Sequence, residues 1–282
     1  MAVQVTLFNL KMQKMKITCY HVNAFVDGER GFKGNAACVV ALDRWLPDGQ
    51  MLKLAKDNGV AETTFFIRNP EASQSEFSLR WFTPDIEMDL CGHATLATAC
   101  TIASEFRYKG DAVTFSSNSG QLRVAVEGNR FTLDFPSRPP QKAVLPEVIL
   151  ESLSIKPVEV TLARDYVLLY EREADIRNIE IDRALFDRIN LDPGGVVVTA
   201  PGDDCDFVSR FFTPQATILE DPVTGSAHCS LIPYWSVRTG KKEMTAHQLS
   251  AQGGTLWCKD CGNRVLISGK GEIVKKTEII FA

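Results

Sequence analysis

The sequence predicts an α+β fold made of two similar domains related by an internal duplication. Three observations carry that reading. First, Arg80, Phe82, Thr83 and Pro84 in LRWFTPDIEMDLCGHATLATA recur as Arg210, Phe212, Thr213 and Pro214 in SRFFTPQATILEDPVTGSAHC. The offset is 130 residues (210 minus 80), and carrying it onward sets Cys91 on Asp221 and Ala97 on Ala227. Second, each half runs through a strand, then Phe-Thr-Pro, then a small-residue helix. Third, PSRPPQ at 136–141 breaks the chain near its middle, because proline suits neither a helix interior nor a central strand.

The elements follow in order. MKITCYHV from Met15 reads as the first strand, which leaves residues 1–14 as an extension outside the core. A Gly-rich turn, GERGFKGN, leads into the apolar run AACVVAL. LPDGQMLKLAKDNG has Met51, Leu52, Leu54 and Ala55 near helical spacing, stopped by Gly59. VAETTFFI and EFSLRWF are rich in β-branched and aromatic residues and read as strands; HATLATACTIASEF reads as a helix. AVTFSSNSG, QLRVAVEGN and RFTLDFP are strands separated by Ser-Gly and Gly-Asn turns. After the break come a helix at VILESLS, strands at VEVTLA and YVLLYE, and a helical stretch over READIRNIEIDRALFDRI. GGVVVTA and DFVSRFF are strands, TGSAHCSLIPYWSVRTG is the second small-residue helix, and strands complete the chain. The expected domains are therefore 15–136 and 142–282, with the last strand able to cross back to the first domain.

Composition narrows the function. A length of 282 residues accommodates two ordinary domains, and 45% hydrophobic with 23% charged residues is a soluble globular composition. A formal net charge of −4 argues against nucleic-acid binding; Lys241-Lys242 and Lys275-Lys276 read as solvated surface. No apolar run approaches the roughly 18 residues that a membrane span needs. The N-terminus has no charged region followed by a long apolar run, so a cytoplasmic location is expected. The eight cysteines are scattered and read as reduced thiols. Cys258-Lys-Asp-Cys261 is a lone CxxC without a second ligand pair and reads as a hairpin turn with Gly262-Asn263, so no metal is expected.

Both small-residue helices begin in runs that let a ligand approach the backbone: Cys91-Gly92-His93-Ala94-Thr95, and Asp221 through Thr224, Gly225, Ser226 and Ala227. A helix start leaves backbone N–H groups unpaired and carries partial positive charge, so each is a potential anion site. The bland alternative is N-capping by Asp221, Thr224 or Thr95. If a pseudo-two-fold relates the halves, both helix starts face one cleft, which suits a small carboxylate. Glu62 is an acid in a strand otherwise suited to burial and is a candidate proton carrier; the alternative is an exposed strand-start charge. His93, between Gly92 and Ala94, is the second candidate, while His228, inside its helix, reads as structural.

The set GNAACVV (34–40), AETTFF (61–66), RWFTPDIEMDLCGHATLATA (80–99) and EDPVTGSAHCSLIPYW (220–235) resembles the PhzF family of phenazine-biosynthesis-like isomerases. QLSAQGG (248–254) and NRVLISGKG (263–271) are similar to that family's C-terminal segment. The resemblance runs from about Met15 onward and implies the diaminopimelate-epimerase-like fold. In that fold each domain is a mixed sheet rolled around a central helix, with the active site between the domains. It further implies catalytic Glu62, His93 and Asp221, and proton transfer on a carboxylate-bearing small molecule without cofactor or metal. A homodimer is implied as well. Gly92, Thr224, Gly225 and Ser226 are the expected substrate-binding residues.

The chain has Gly34-Asn35-Ala36 where the family commonly has Gly-Asn-Pro, a change of small expected effect. Epimerases of the wider superfamily use one cysteine from each repeat; here only Cys91 is present, which disfavours a two-thiol racemase. The leading expectation is an isomerase. The alternatives are an epimerase using Cys91 and a non-catalytic small-molecule binder. GxGxxG and Walker A signatures are absent, so no nucleotide cofactor is expected.

Overall fold

The computed structural model describes residues 15–69, 76–192 and 194–281; the extension expected at 1–14 lies outside them. The first half contains strands β1 (Met15–Ala24) and β2 (Asn35–Leu42), helix α1 (Asp48–Asn58), and strands β3 (Glu62–Arg68), β4 (Phe77–Phe82) and β5 (Glu87–Met88). Helix α2 (Gly92–Glu105) follows, then strands β6 (Ala112–Ser117), β7 (Gly120–Glu127) and β8 (Arg130–Pro136). The second half opens with β9 (Gln141–Lys142), α3 (Glu147–Ser152), β10 (Glu159–Leu162) and β11 (Tyr166–Leu169). It continues through α4 (Glu173–Asn178), α5 (Arg183–Phe186), β12 (Val196–Pro201), β13 (Phe207–Phe212) and β14 (Glu220–Asp221). Helix α6 (Gly225–Thr239) and strands β15 (Glu243–Gln248), β16 (Gly254–Asp260) and β17 (Arg264–Phe281) complete it.

In the first half the strands close on themselves in the order β1-β2-β3-β4-β6-β7-β8-β17, and β17 returns to β1. Only β2–β3 and β4–β6 are parallel. Helix α2 runs inside this ring, against β1, β2, β3, β7, β8 and β17. Every residue from His93 to Ile102 is buried. A helix apolar on all sides belongs inside a core, and GHATLATACTIASE is such a helix once its threonines are satisfied. Thr95, Thr98 and Thr101 each donate their hydroxyl to the carbonyl four residues back, at 2.6, 2.8 and 2.9 Å.

The second half repeats the connectivity. β10–β11 is antiparallel, β11–β12 parallel, β12–β13 antiparallel, β13–β15 parallel and β15–β16 antiparallel. These pairings follow the order of β1–β2, β2–β3, β3–β4, β4–β6 and β6–β7. Helix α6 packs against β15, β16 and β17 and is buried over most of its length despite Pro233. Proline has no N–H for the carbonyl of Cys229. That carbonyl instead accepts the backbone N–H of Arg138, at 2.9 Å, from the proline-rich connection between the halves. Strand β17 belongs to both halves: Arg264–Lys270 pair with β8, Val265–Ser268 also with β16, and Gly271 onward with β1.

The repeated Arg-x-Phe-Thr-Pro has a structural cause. Arg80 and Arg210 each grip a glutamate with two nitrogens: Arg80 holds Glu87 on β5, and Arg210 holds Glu220 on β14. Each guanidinium also lies over the phenylalanine two residues on, 5.2 Å from the Phe82 centroid and 5.0 Å from that of Phe212. The offset of 130 ends there. Thr83 N–H meets the Ile86 carbonyl, whereas Thr213 N–H meets that of Leu219, so the second loop is longer by three residues. The helix N-caps are Cys91 and Thr224, 133 residues apart (224 minus 91). Thr224, not Asp221, therefore occupies the position of Cys91.

Two other expectations change. The helical stretch over 172–189 is two short helices, because Ile181 forms a bridge with Leu153 and Asp182 caps α5 through the N–H groups of Ala184 and Leu185. Cys258 is buried in β16 and only Cys261 enters the turn, exposed.

Candidate active site

The two helix starts meet. A Cβ placed on Gly92 would lie 3.8 Å from the Gly225 Cα and 3.4 Å from a Phe135 ring carbon. Neither N-cap side chain, of Cys91 or of Thr224, caps its helix. Two partly positive helix ends thus converge on one place, a repulsion that carboxylates relieve. The protein supplies two of them, Glu62 and Asp221.

Glu62 is the first residue of β3, in parallel register with Ala37 of β2. Its Oε2 lies 3.1 Å from Nε2 of His93, the second residue of α2. The imidazole is 5% exposed and the carboxylate 17%. Both atoms are buried and neither has a hydrogen-bond partner: they are close but misaligned. The other imidazole nitrogen, Nδ1, lies 3.5 Å from Sγ of Cys91. Burial opposes the imidazolium, but negative charge at Cys91 and Glu62 outweighs it, and His93 sits well above its ordinary value. The Glu62 carboxylate in contact with Nε2 is the cause that stands, since burial raises the Cys91 thiol and keeps it protonated.

Asp221, on β14, is held from both halves. Its Oδ1 accepts from Asn35 Nδ2 at 2.8 Å and its Oδ2 from Thr224 Oγ1 at 2.6 Å. Asn35 also donates to the Val223 carbonyl at 3.0 Å. Gln248 completes the cradle: Nε2 donates to the Asp221 carbonyl at 2.8 Å, and Oε1 accepts the Thr224 N–H at 2.8 Å. Burial pushes Asp221 up to about 6, with Glu62 adding to the rise while His93, Thr224 and Asn35 oppose it. Its carboxyl therefore changes charge near neutral pH beside a histidine that is readily protonated.

Glu62, His93, Asp221, Gly92, Thr224 and Gly225 all lie along this seam. Ser226, in the first turn of α6, is partly exposed. Asp221 is not at the start of its helix, as the constant offset had implied, but in β14, three residues before the N-cap. Thr224 supports Asp221, because its hydroxyl and its N–H are both committed. Asn35 and Gln248 are the residues that sequence reasoning missed. For Asn35 alone the sequence held a hint that a partner is needed, though not which one, since an Asn closing a Gly-rich turn before a fully apolar strand needs partners once buried. His228 is buried, with Nδ1 2.8 Å from the Thr224 carbonyl, and burial drops it to about 4, so it is a neutral structural residue.

Among the described residues, two groups could offer three metal donors each: Glu62, Cys91 and His93, and Asp204, Cys205 and His247. An ion at the first group would need the Cys91 thiol ionised, which burial resists. At the second, Arg30 already pairs with Asp204 at 2.5 Å and burial lifts the Cys205 thiol to about 12.

Comparison with known proteins gives a consistent result. The family model described as "Phenazine biosynthesis-like protein" matches residues 22–276. An uncharacterized isomerase of Pseudomonas aeruginosa is 44% identical over 266 residues, covering 94% of this chain and 99% of that protein. The crystal structure of a PhzF-family phenazine biosynthesis protein from Enterococcus faecalis superposes with a TM-score of 0.88 at 40% identity. That match covers 95% of this chain and all of the other. A predicted epimerase from Pseudomonas aeruginosa shares the fold at 17% identity, with a TM-score of 0.66 over 94% of this chain and 99% of the other.

Proposed function

Because the chain belongs to the phenazine biosynthesis-like PhzC-PhzF family and is an isomerase, we propose that it moves a proton within a small carboxylate-bearing substrate at the seam between its halves. One observation carries this most directly. Glu62 Oε2 and His93 Nε2 are buried, unpartnered and 3.1 Å apart where two uncapped helix starts converge. Buried polar atoms without partners are costly in an empty site and useful in an occupied one.

In this reading Glu62 is the proton carrier, taking a proton from one carbon and returning it to another. His93, readily protonated, faces the charge that develops on the substrate. Asp221, with its carboxyl near 6, hydrogen-bonds the substrate and donates a proton below that pH. The backbone N–H groups of Gly92-His93 and Gly225-Ser226 receive the carboxylate and stabilise the anionic intermediate. No step requires a cofactor.

We further propose that the two halves arose by duplication, a reading supported by the repeated strand order and the paired Arg–Glu grips. The domains would be 15–136 and 142–282, assembled as a cytoplasmic homodimer. Light scattering tests the dimer.

The second reading, epimerisation through Cys91, has one thiol available. It is disfavoured because the matching N-cap is Thr224, whose hydroxyl already donates to Asp221. The deciding experiment screens small carboxylates for thermal stabilisation, then follows deuterium incorporation from heavy water into the ligands found. Glu62→Gln should bind but not exchange. Exchange at near wild-type rate in that variant would remove Glu62 from its role, and abolition by Cys91 alkylation with Glu62→Gln active would favour the second reading.

A further inference from the structure

Among the described residues, three that are not glycine have a left-handed backbone: Phe25, Arg107 and Gln215, at φ 66°, 52° and 63°. Arg107 and Gln215 are exposed, whereas Phe25 is fully buried. For a bulky side chain this conformation costs free energy, and it persists only where the surroundings dictate it. Around Phe25 they do. Its N–H donates to the Lys270 carbonyl at 2.7 Å, and its own carbonyl accepts the Thr255 N–H at 3.2 Å. Its ring takes the space that a side chain at position 269 would need: a Cβ on Gly269 would lie 2.2 Å from Phe25 Cδ1.

The left-handed residue redirects the chain. Strand β1 ends with Ala24 paired to Asn35 of β2, one residue before Phe25. Past Phe25, residues 26–33 cross onto the second half. Asp27 accepts the Thr255 hydroxyl at 2.8 Å, and Arg30 pairs with Asp204. The N–H groups of Lys33 and Gly34 then reach the Gln252 and Gly253 carbonyls at 2.8 and 2.9 Å. Phe25 also adjoins the cradle of Asp221. A Cβ on Gly254 would meet both the Phe25 carbonyl oxygen, at 3.1 Å, and Val223 Cγ2, at 2.4 Å. Val223 is the residue whose carbonyl accepts Asn35 Nδ2.

We propose that Phe25 is a positioning residue for the proton transfer: its left-handed backbone turns the chain at the end of β1 so that Asn35 of the first half meets Asp221 of the second. The ring holds the strained backbone in place. The backbone aims residues 26–33 at the second half and brings the chain back at Gly34. Asn35 then donates to the carboxylate. The other groups acting on that carboxyl, Glu62, His93 and Thr224, lie outside this loop. The inference rests on Asp221 being a site residue. A phenylalanine that only fills the core would change stability and leave the Asn35 bond as it is; a positioning residue couples the two.

The test uses ligand-free full-length protein, so it does not depend on the substrate. Urea unfolding measures stability, and ¹³C NMR of the Asp221 carboxyl, assigned with Asp221→Asn, measures its titration. Phe25→Ala should raise the Asp221 midpoint by about 0.5–1 pH units, the loss of one hydrogen bond to the charged form. Phe25→Leu, which keeps a buried apolar anchor, should give a smaller rise and folds if Phe25→Ala does not. Phe25→Gly, whose backbone takes positive φ without strain, should shift the midpoint as Phe25→Ala does, because the ring is gone. In an Asn35→Ala background none of these changes should move the midpoint further. An unmoved Asp221 titration in destabilised Phe25 variants would overturn the inference, as would an equal shift with and without Asn35. Wild-type deuterium exchange in Asp221→Asn would instead remove Asp221 from its role and leave the titration result standing, so the two failures are separable.

Discussion

Asn35 reaches across from β2 to hold Asp221 on β14: its Nδ2 lies 2.8 Å from Oδ1 and 3.0 Å from the Val223 carbonyl. A single amide group from the first half sets the position of a carboxylate from the second. Asn35→Ala should remove a charge-assisted bond and leave Val223 with a carbonyl unpaired by side chain. The expected loss is about 1–3 kcal/mol in urea unfolding. The carboxyl of Asp221 should then titrate higher than its present value of about 6. An unchanged Asp221 titration in Asn35→Ala would contradict the arrangement.

Stability should fall as pH rises. Asp221 has a folded-state value of about 6 against an ordinary 3.8, so the folded protein binds more proton than the unfolded chain between those values. Its contribution is full below 3.8 and is lost as pH rises through about 6. His93 also sits above its ordinary 6.5, so its contribution is full below 6.5 and is lost at higher pH. Denaturant unfolding at a series of pH values should show two successive declines. Asp221→Asn should flatten the first and Glu62→Gln should weaken the second.

Gly34→Ala should be severe. Gly34 has φ +72°, and an added Cβ would lie 2.1 Å from the Ala24 carbonyl oxygen, backbone that has nowhere to go. Left-handed strain plus that clash should cost at least about 3 kcal/mol. The protein that still folds should lose ligand binding, because Asn35 is the next residue. Thermal unfolding and ligand-induced stabilisation measure the two effects.

Gly92→Ala should do the opposite. Its Cβ would meet Phe135 at 3.4 Å and Gly225 at 3.8 Å, ordinary contacts, and alanine is the better helix former. Stability should change by less than about 1 kcal/mol. The methyl group would fill the space between the helix starts, so carboxylate affinity should fall about tenfold or more, read by calorimetry.

Much of this was legible in residue order. The helix at Gly92–Glu105 follows from its composition, and the Gly59 stop appears as a left-handed cap at φ 65°. Glu62 stood out as an acid in an apolar strand. What could not be read was the added length between Pro214 and Glu220, because a loop insertion leaves no mark in either flanking motif. It misaligned Asp221 with Cys91 by three residues. Asn35 and Gln248 were missed for a related reason: the partner of Asn35 lies 186 residues away across the seam, and those of Gln248 lie 24–27 residues away within the second half, so neither bond shows in a local pattern. The break near Ile181 depends on Leu153, again a contact that local helical periodicity does not register.

Strand β17 has a consequence for how the protein is made. Residues 264–281 are synthesised after every other described strand, yet they fill the gap between β8 and β1. Until they emerge from the ribosome, the sheet around α2 has two raw edges, the kind of surface that invites pairing with other chains. Its closure joins residues as distant as Ile17 and Ile279, a slow, long-range event. A nascent first half therefore waits open, and the seam holding Glu62 and Asp221 is sealed in one late stroke with the ring.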